Sequence, residues 1–432
     1  MNILYMHTHD TGKYISPYGF DAPTPNLMEL AKEGTLFRHA FSAAPTCSPS
    51  RAALLTGASP HKVGMLGLAH RGFKLNDYDK HIVNLLNKVG YDTVLCGVQH
   101  VAPKAEMIGY KKILCEAEHY PNDWKEDIKN AELVSDYLSN NPKKPFFISF
   151  GMQNTHIPFP EAKINPNYVK PPSPLYDNAM TREDMAQFFT SVHIVDQCVG
   201  KIMRSLKENH LEEETLVIFT TDHGIPLPNM KCTLYDTGIG ISLILKFPNN
   251  KKSGEATDIL VSHLDIFPTI CDFLGIEKPA WLEGFSLKPY LDGKVDKIRE
   301  ELFAEITFHA AYEPTRCIRT ERYKYIKFFD NYDKIIPANI DDTKSKEFLL
   351  SHGLLQVKRQ KEMLFDLYFD PMERNNLIKE DNYKNILREL QSKLYDWMKK
   401  TNDPLLKGKV EKPKGAIVNT RDCMSAMEER YE

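Results

Sequence analysis

Apolar runs of strand length alternate with helix-length amphipathic stretches through the first two-thirds of this chain, and few architectures satisfy that rhythm. NILYMHT (2–8) reads as a short buried strand. Thr24-Pro25 opens a helix over NLMELAKEG, with Thr as cap, Pro at the first position and Gly34 as the stop. IVNLLNKVG then precedes the strand YDTVLCG, and DIKNAELVSDYLSN precedes PFFISFG. A long helix begins near Thr181 with a Thr-x-x-Asp cap, runs toward His210 and feeds LVIFTTD (216–222). Strands separated by helices build βαβ units and a mostly parallel sheet. The pattern changes after the charged stretch DGKVDKIREE (292–301). There CIRTERYKYIKFFD (317–330) and EMLFDLYFD (362–370) each read as a half-exposed strand. DNYKNILRELQSKLYDWMKK is an amphipathic helix with Ile386, Leu390 and Leu394 on one face, and the polar tail after Thr401 reads as irregular chain. We divide the chain into a large α/β unit, 1–298, and a smaller α+β subdomain, 299–432, with a small antiparallel sheet and the amphipathic helix.

Composition removes several function classes. The 55 Lys and Arg nearly balance 58 Asp and Glu, so the basic excess of a nucleic-acid binder is missing. No apolar stretch is long enough to cross a bilayer. The first residues already read as a strand rather than a basic segment followed by an apolar one, so we expect no secretory signal, no membrane partner and a cytoplasmic location. Eight Cys are scattered without a CxxC pair, which argues against a disulfide framework or a zinc ribbon.

In an open parallel sheet, ligands bind beyond the carboxyl ends of the strands. His9 and Asp10 follow the first strand, and Val98, Gln99 and His100 follow the strand at 92–97. Asn154 and His156 follow 145–150, and Asp222 and His223 follow 216–221. One such His is ordinarily a core or capping residue; four strand ends carrying carboxylates and imidazoles point to a cation site. Between the first two strands, Cys47-Ser48-Pro49-Ser50-Arg51 enters a helix ending at Gly57. That order puts Cys47 at a helix N-terminus, where free N–H groups favour anions.

Cys-x-Pro-x-Arg followed by Leu-Thr-Gly resembles, in full, the maturation signature of the type I sulfatases, in which the Cys is oxidised by a separate enzyme to Cα-formylglycine. The resemblance covers nearly the whole chain. TTDHGIPLPNMKCTLYDTGIG (220–240) is similar to the family's second metal-binding segment and its lysine, and VSHLDIFPTICDFLGI (261–276) to its helix after the core sheet. IRTERYKYI (318–326) and LFDLYFDPMERNNL (364–377) are similar to its C-terminal subdomain. CSPSRAALLTG, HKVGMLGL and DHGIPLPNMKCTLYD are most similar to the heparan N-sulfatase (sulfamidase) branch. The resemblance implies an α/β, alkaline-phosphatase-like sandwich: a large, mostly parallel sheet flanked by helices, plus the C-terminal subdomain.

It also implies a site. Asp10, Asp222, His223 and formylglycine at Cys47 would hold one divalent cation, calcium first, with Mn, Mg or Zn as alternatives. Arg51 would steady the gem-diol, Lys231 would bind sulfate oxygens and His100 would act as base. His156 would protonate the leaving group or bind sulfate. His309 falls where relatives place substrate-contacting histidines, or else is a polar rim residue. A hydrated formylglycine carries two hydroxyls on one carbon: one attacks sulfur and expels the alcohol or amine, and deprotonating the other ejects sulfate. A serine would leave a stable ester. Partners would be a small sulfated saccharide, such as N-sulfoglucosamine, or an aryl sulfate, together with a formylglycine-generating maturation enzyme.

Two positions depart from the family pattern. His9 stands where the family has the first Asp of a pair; it either orients Asp10 or ligates, and if it ligates, the site suits Mn, Fe or Zn better than calcium. Gly97-Val98-Gln99-His100 lacks the lysine of the usual Gly-Lys-x-His, which removes one positive charge. A phosphonate monoester or phosphodiester hydrolase of the same superfamily is the alternative reading. A non-catalytic sulfosugar-binding protein is a minor one.

Overall fold

The computed structural model describes residues 1–117 and 124–432. In chain order the strands of its first part are β1 (Asn2–Thr8), β2 (Thr35–Phe37), β3 (Ala40–Phe41), β4 (Asp92–Gly97), β5 (Lys112–Glu116), β6 (Phe146–Gly151), β7 (Thr215–Thr221), β8 (Leu243–Lys246), β9 (Glu255–Thr257) and β10 (Val261–Ser262). Later come β11 (Glu301–Phe308), β12 (Tyr312–Thr320), β13 (Tyr323–Phe328) and β14 (Glu362–Asp366).

The large sheet has the order β5-β4-β6-β1-β7-β8-β2-β9. It is parallel from β5 to β7, as the βαβ rhythm predicts, and β8 then runs antiparallel to both β7 and β2. The pleat divides its side chains between two cores. Ile3 and Tyr5 of β1 join Phe147, Leu216 and Ile218 on one face, while Leu4 and Met6 join Ile148, Val217 and Phe219 on the other. Burial on both faces explains why these strands are continuously apolar rather than alternating.

The long helix covers the second face as Ala179–Glu208. Its start corrects the sequence expectation. Asn178 is the cap, its side chain accepting from the N–H groups of Met180 and Thr181, while Thr181 Oγ1 accepts from the Asn178 N–H. Thr181 is thus the third helical residue of a reciprocal capping box. Thr24 does precede the helix Pro25–Glu33, but its hydroxyl bonds Ser16 instead of capping.

β11 to β14 form a separate antiparallel sheet. The segment read as one strand over 317–330 is instead parts of β12 and β13, folded back at Glu321-Arg322. Thr320 Oγ1 accepts from the Tyr323 N–H and donates to its carbonyl, which closes the turn. EMLFDLYFD likewise stops at Asp366, whose carbonyl accepts from the N–H groups of Phe369 and Asp370. The helix Lys384–Lys400 turns Leu390, Leu394 and Met398 inward, into the same apolar cluster that holds Ile266 and Phe267 beneath the large sheet.

A buried ionic knot adds to that joint. Arg316 donates to Asp403 at 2.6 and 3.0 Å, and its Nε lies 3.4 Å from Glu305. His61, from the first part of the chain, donates its backbone N–H to Glu305 at 2.6 Å and pairs its ring Nδ1 with the same carboxylate. Burial pulls the His61 pKa down, but Glu305 and Asp403 more than offset this and hold it above the ordinary value.

Candidate active site

β4, β6, β1 and β7 are neighbours in the sheet, so the polar residues that follow them emerge side by side. Asp10 leaves β1 through a left-handed turn (φ 47°), a conformation Asp tolerates better than most residues. Its N–H donates to Asp222 Oδ1 at 2.8 Å, which locks the ends of β1 and β7 together. The β6 loop is fastened to the same place: the N–H and hydroxyl of Thr155 donate to the His9 carbonyl at 3.1 and 2.8 Å. Asp127 accepts from the N–H groups of Gln153 and Asn154 at 2.9 and 2.8 Å, which sets the turn that carries His156. At the ends of β4 and β6, a Cβ on Gly97 (φ 87°) would stand 2.1 Å from the Gly151 carbonyl oxygen, so only glycine allows this approach.

The helix Cys47–Thr56 is buried along its length and points its first residue into the cluster. Thr46, its cap, makes no side-chain cap bond. Gly57 closes the helix in the left-handed conformation, as the sequence predicts. Cys47 Sγ lies 3.4 Å from His223 Nε2 and 3.9 Å from Asp10 Oδ1. Ligand-capable atoms of Asp10, Cys47, Asp222 and His223 all fall within 4.8 Å of one another, and a second such group joins His9, Asp10, Cys47 and His156. His223 bonds the Gly224 carbonyl through Nδ1 at 2.9 Å, which leaves Nε2 as the electron-pair donor facing Cys47 and Asp10. Two buried carboxylates beside such an imidazole are a donor set that fits a divalent cation.

Two side chains supply positive charge. Arg51 donates to the Thr8 carbonyl at 2.8 Å and to Asp222 Oδ2 at 3.0 Å, and also contacts His7 Nδ1. Lys231 Nζ sits 2.8 Å from Asp10 Oδ2, 2.8 Å from Asp341 Oδ2 and 3.5 Å from His156 Nε2. Burial pushes the Asp10 carboxyl up, but Lys231, His156 and His223 overcome it and hold it well below the carboxylate range. Burial likewise disfavours the Lys231 ammonium, yet Asp10 and Asp341 keep its pKa well above the ordinary value. Burial pushes the Cys47 thiol well up, with Lys231 opposing, so an unmodified thiol here is a poor nucleophile. Burial, reinforced by Lys231, pulls His156 down to about 4. Its Nδ1 bonds the Ile157 carbonyl at 2.6 Å, so the neutral ring turns Nε2, as an acceptor, toward Lys231.

The cluster floors a cavity of about 500 Å³ lined by Cys47, His156, Lys231 and His309, with Arg71 and Lys344 farther around its wall. His309 is therefore a buried wall residue rather than an exposed rim group, and Nδ1 of its ring has no hydrogen bond to a described residue. Burial, helped by Lys231, depresses its pKa well below the ordinary imidazole value. His100 reaches the cluster through His9, their rings packing edge-on at 4.6 Å. Val98 is buried, and Gln99 bonds the Ala102 carbonyl and the Glu116 carboxylate, so neither adds charge to the site.

Sequence reasoning missed Asp341, His7, Ser50 and His263. Ser50 Oγ donates to the Asp222 carbonyl at 2.6 Å and lies 3.3 Å from His263 Nδ1. Nothing near Asp341 in sequence marks it. Arg71 follows closely on HKVGMLGL and was within reach of motif reasoning.

A 2-O GAG sulfatase of known structure superposes with a TM-score of 0.74 at 24% identity, covering 96% of both chains. A structure in complex with its substrate D-glucosamine-2-N,6-O-disulfate superposes with a TM-score of 0.73 at 19% identity, covering 95% of this chain and 99% of that one. An ulvan-active sulfatase of Formosa agariphila is 27% identical over 94% of this chain and 81% of its own length. Human N-sulphoglucosamine sulphohydrolase is 27% identical over 93% of this chain and 91% of its own length. A family model for the C-terminal part of N-sulphoglucosamine sulphohydrolase matches residues 229–345, and the sulfatase model matches residues 2–276. That second match spans well over half of the chain, so the protein belongs to the sulfatase family.

Proposed function

We propose that this sulfatase cleaves a sulfate ester or N-sulfate on a small sugar of the N-sulfoglucosamine type, using formylglycine made from Cys47 and one divalent cation. The observation that carries this reading is the placement of Cys47 at the head of a buried helix, between Asp10, His223 and Lys231, on the floor of the cavity. The relationship to human N-sulphoglucosamine sulphohydrolase and to the glucosamine-disulfate complex supports the sugar.

When bound, the cation would offset the charge of the sulfate and the oxidised residue would supply its attacking hydroxyl. The protein's own residues do the rest. Arg51 ties Asp222 to the Thr8 carbonyl and so holds the end of β1 against that of β7. Lys231 presents an obligately charged ammonium at the cavity floor, where a sulfate oxygen would exchange for one of its carboxylate partners. His156 Nε2, 3.5 Å from that ammonium, is the atom placed to exchange a proton with a leaving oxygen or nitrogen. The buried floor keeps these contacts in a low dielectric, where each is worth more than in water.

The test is mass spectrometry of the Cys47 peptide from protein co-expressed with a maturation enzyme, paired with rates on N-sulfoglucosamine, 6-O-sulfated glucosamine and an aryl sulfate. Conversion of the thiol to an aldehyde or its hydrate, with turnover of a sulfated sugar, is the expected result. A far faster rate on a matched phosphodiester or phosphonate would overturn the substrate assignment. A persistent thiol, with a control sulfatase matured in the same cells, would overturn the mechanism.

A further inference from the structure

Two histidines of this site turn a ring nitrogen toward its carboxylates. His223 has its Nδ1 engaged by the Gly224 carbonyl, which aims Nε2 between Cys47 and Asp10. His9 is fully buried, with Nδ1 3.2 Å from Asp222 Oδ2 and 3.5 Å from Asp10 Oδ1. Neither ring nitrogen of His9 makes an aligned hydrogen bond to a described residue. The rings of His100 and His156 pack edge-on against it at 4.6 and 5.1 Å, which hold the imidazole in place. A buried, immobilised imidazole whose ring nitrogen faces two carboxylates is placed as a ligand to a cation between them.

We propose that the site holds a first-row transition dication (manganese, iron or zinc) in preference to calcium, with His9 and His223 both as nitrogen ligands. This rests on the reading that the residues around position 47 hold one divalent cation. Spacing alone does not choose the metal. Adjacent ligands of a cation with bonds of about 2.1 Å stand about 3.0 Å apart in an octahedral shell and about 3.4 Å apart in a tetrahedral one, and those of seven-coordinate calcium, with bonds of about 2.4 Å, about 2.8–3.4 Å apart. The closest pairs here, His9 Nδ1 to Asp222 Oδ2 at 3.2 Å and His223 Nε2 to Asp10 Oδ1 at 3.3 Å, suit either shell. Donor chemistry decides. Calcium and magnesium take oxygen ligands in full coordination shells. Two imidazoles with two carboxylates are a borderline set, which suits manganese, iron and zinc. The edge-on packing of His9 also keeps it from swinging away to leave an all-oxygen shell.

The experiment is elemental analysis of the matured protein, purified without chelators from medium containing calcium, magnesium, manganese, iron and zinc. It is followed by electron spin echo spectroscopy of the Mn²⁺-loaded form to count coupled imidazole nitrogens. We expect about one transition ion per chain with calcium well below stoichiometric, and two coupled imidazoles that fall to one in His9→Ala. His9→Asp should move the manganese-to-calcium affinity ratio toward calcium by roughly 10–100-fold or more, the scale on which even supporting contacts act. Stoichiometric calcium in the wild-type protein, or a single coupled imidazole, overturns the proposal, and neither result depends on a variant folding. Calcium together with sulfatase turnover would refute this inference alone. A protein that binds no divalent cation and keeps its thiol would refute the underlying reading with it.

Discussion

Lys231→Met is the most searching test of how the site handles a sulfate. Lys231 Nζ lies 2.8 Å from both Asp10 and Asp341 at the cavity floor. At 2.8 Å and an effective dielectric of about 20, each pair attracts by about 6 kcal/mol, before the cost of taking the charges out of water. Once a cation occupies the site, Asp10 keeps a positive partner, so the variant strands chiefly Asp341, which is partly exposed at 15%. The folding penalty should therefore sit near the lower end of the 3–5 kcal/mol typical of a broken buried pair, about 3 kcal/mol. The kinetic penalty is separate. Loss of one charged contact to the reacting group should cost about 10²–10³ in kcat/KM, or about 2.7–4 kcal/mol. Initial rates on a sulfated glucosamine measure the second quantity and denaturant unfolding the first, with metal content and oxidation at Cys47 checked in the same sample. A variant that is metal-loaded, oxidised and less than about tenfold impaired would show that Lys231 does not touch the sulfate, and the reading of the cavity floor would fail.

Other consequences follow from the fold. Arg316→Met strands Asp403 and Glu305 in the joint between the two sheets, and should cost about 3–5 kcal/mol in urea unfolding; a loss under about 1 kcal/mol would mean the knot is solvated. His61, whose pKa is raised in the fold, should stabilise the protein fully below its unfolded value and lose that contribution as pH rises through its folded value. Thermal unfolding across neutral pH should therefore show a decline that His61→Gln flattens, and identical profiles for the two proteins would sink the idea. Gly97→Ala forces a Cβ to 2.1 Å from a carbonyl oxygen at φ 87°, a backbone strain of about 1–3 kcal/mol before the clash is counted. A fall in thermal midpoint with reduced turnover is expected, and an unchanged midpoint would mean the strand ends are looser than described. Asn178→Ala removes one half of the capping box and should cost about 1 kcal/mol; unfolding by denaturant with no loss would place the helix start elsewhere.

What local chemistry encodes was readable along the chain. Ile3 to Met6 are apolar because both faces of β1 are covered, and that demand shows within a few residues. Pro49 in the first turn and Gly57 at the close bracket the helix that carries Cys47, because helix ends have chemical requirements of their own. Asp10, His100, His156 and Asp222 could be collected in advance because parallel strands deliver their carboxyl ends to one edge. The fold of 317–330 was not readable, because a hairpin hinging on Glu321-Arg322 lacks the glycine or proline that usually marks a turn. Nor was the capping role of Asn178, which depends on where the first turn closes. Asp341, the burial of His309 in the cavity wall and the pairing of His61 with Glu305 belong to tertiary structure alone. They meet their partners across 110 or 262 positions for Lys231–Asp341 and Cys47–His309, and 244 for His61–Glu305, and only the docking of the second sheet on the first sets such distances. The motif thus marked the candidate reacting atoms, and packing decided which charges surround them and how far the cavity extends.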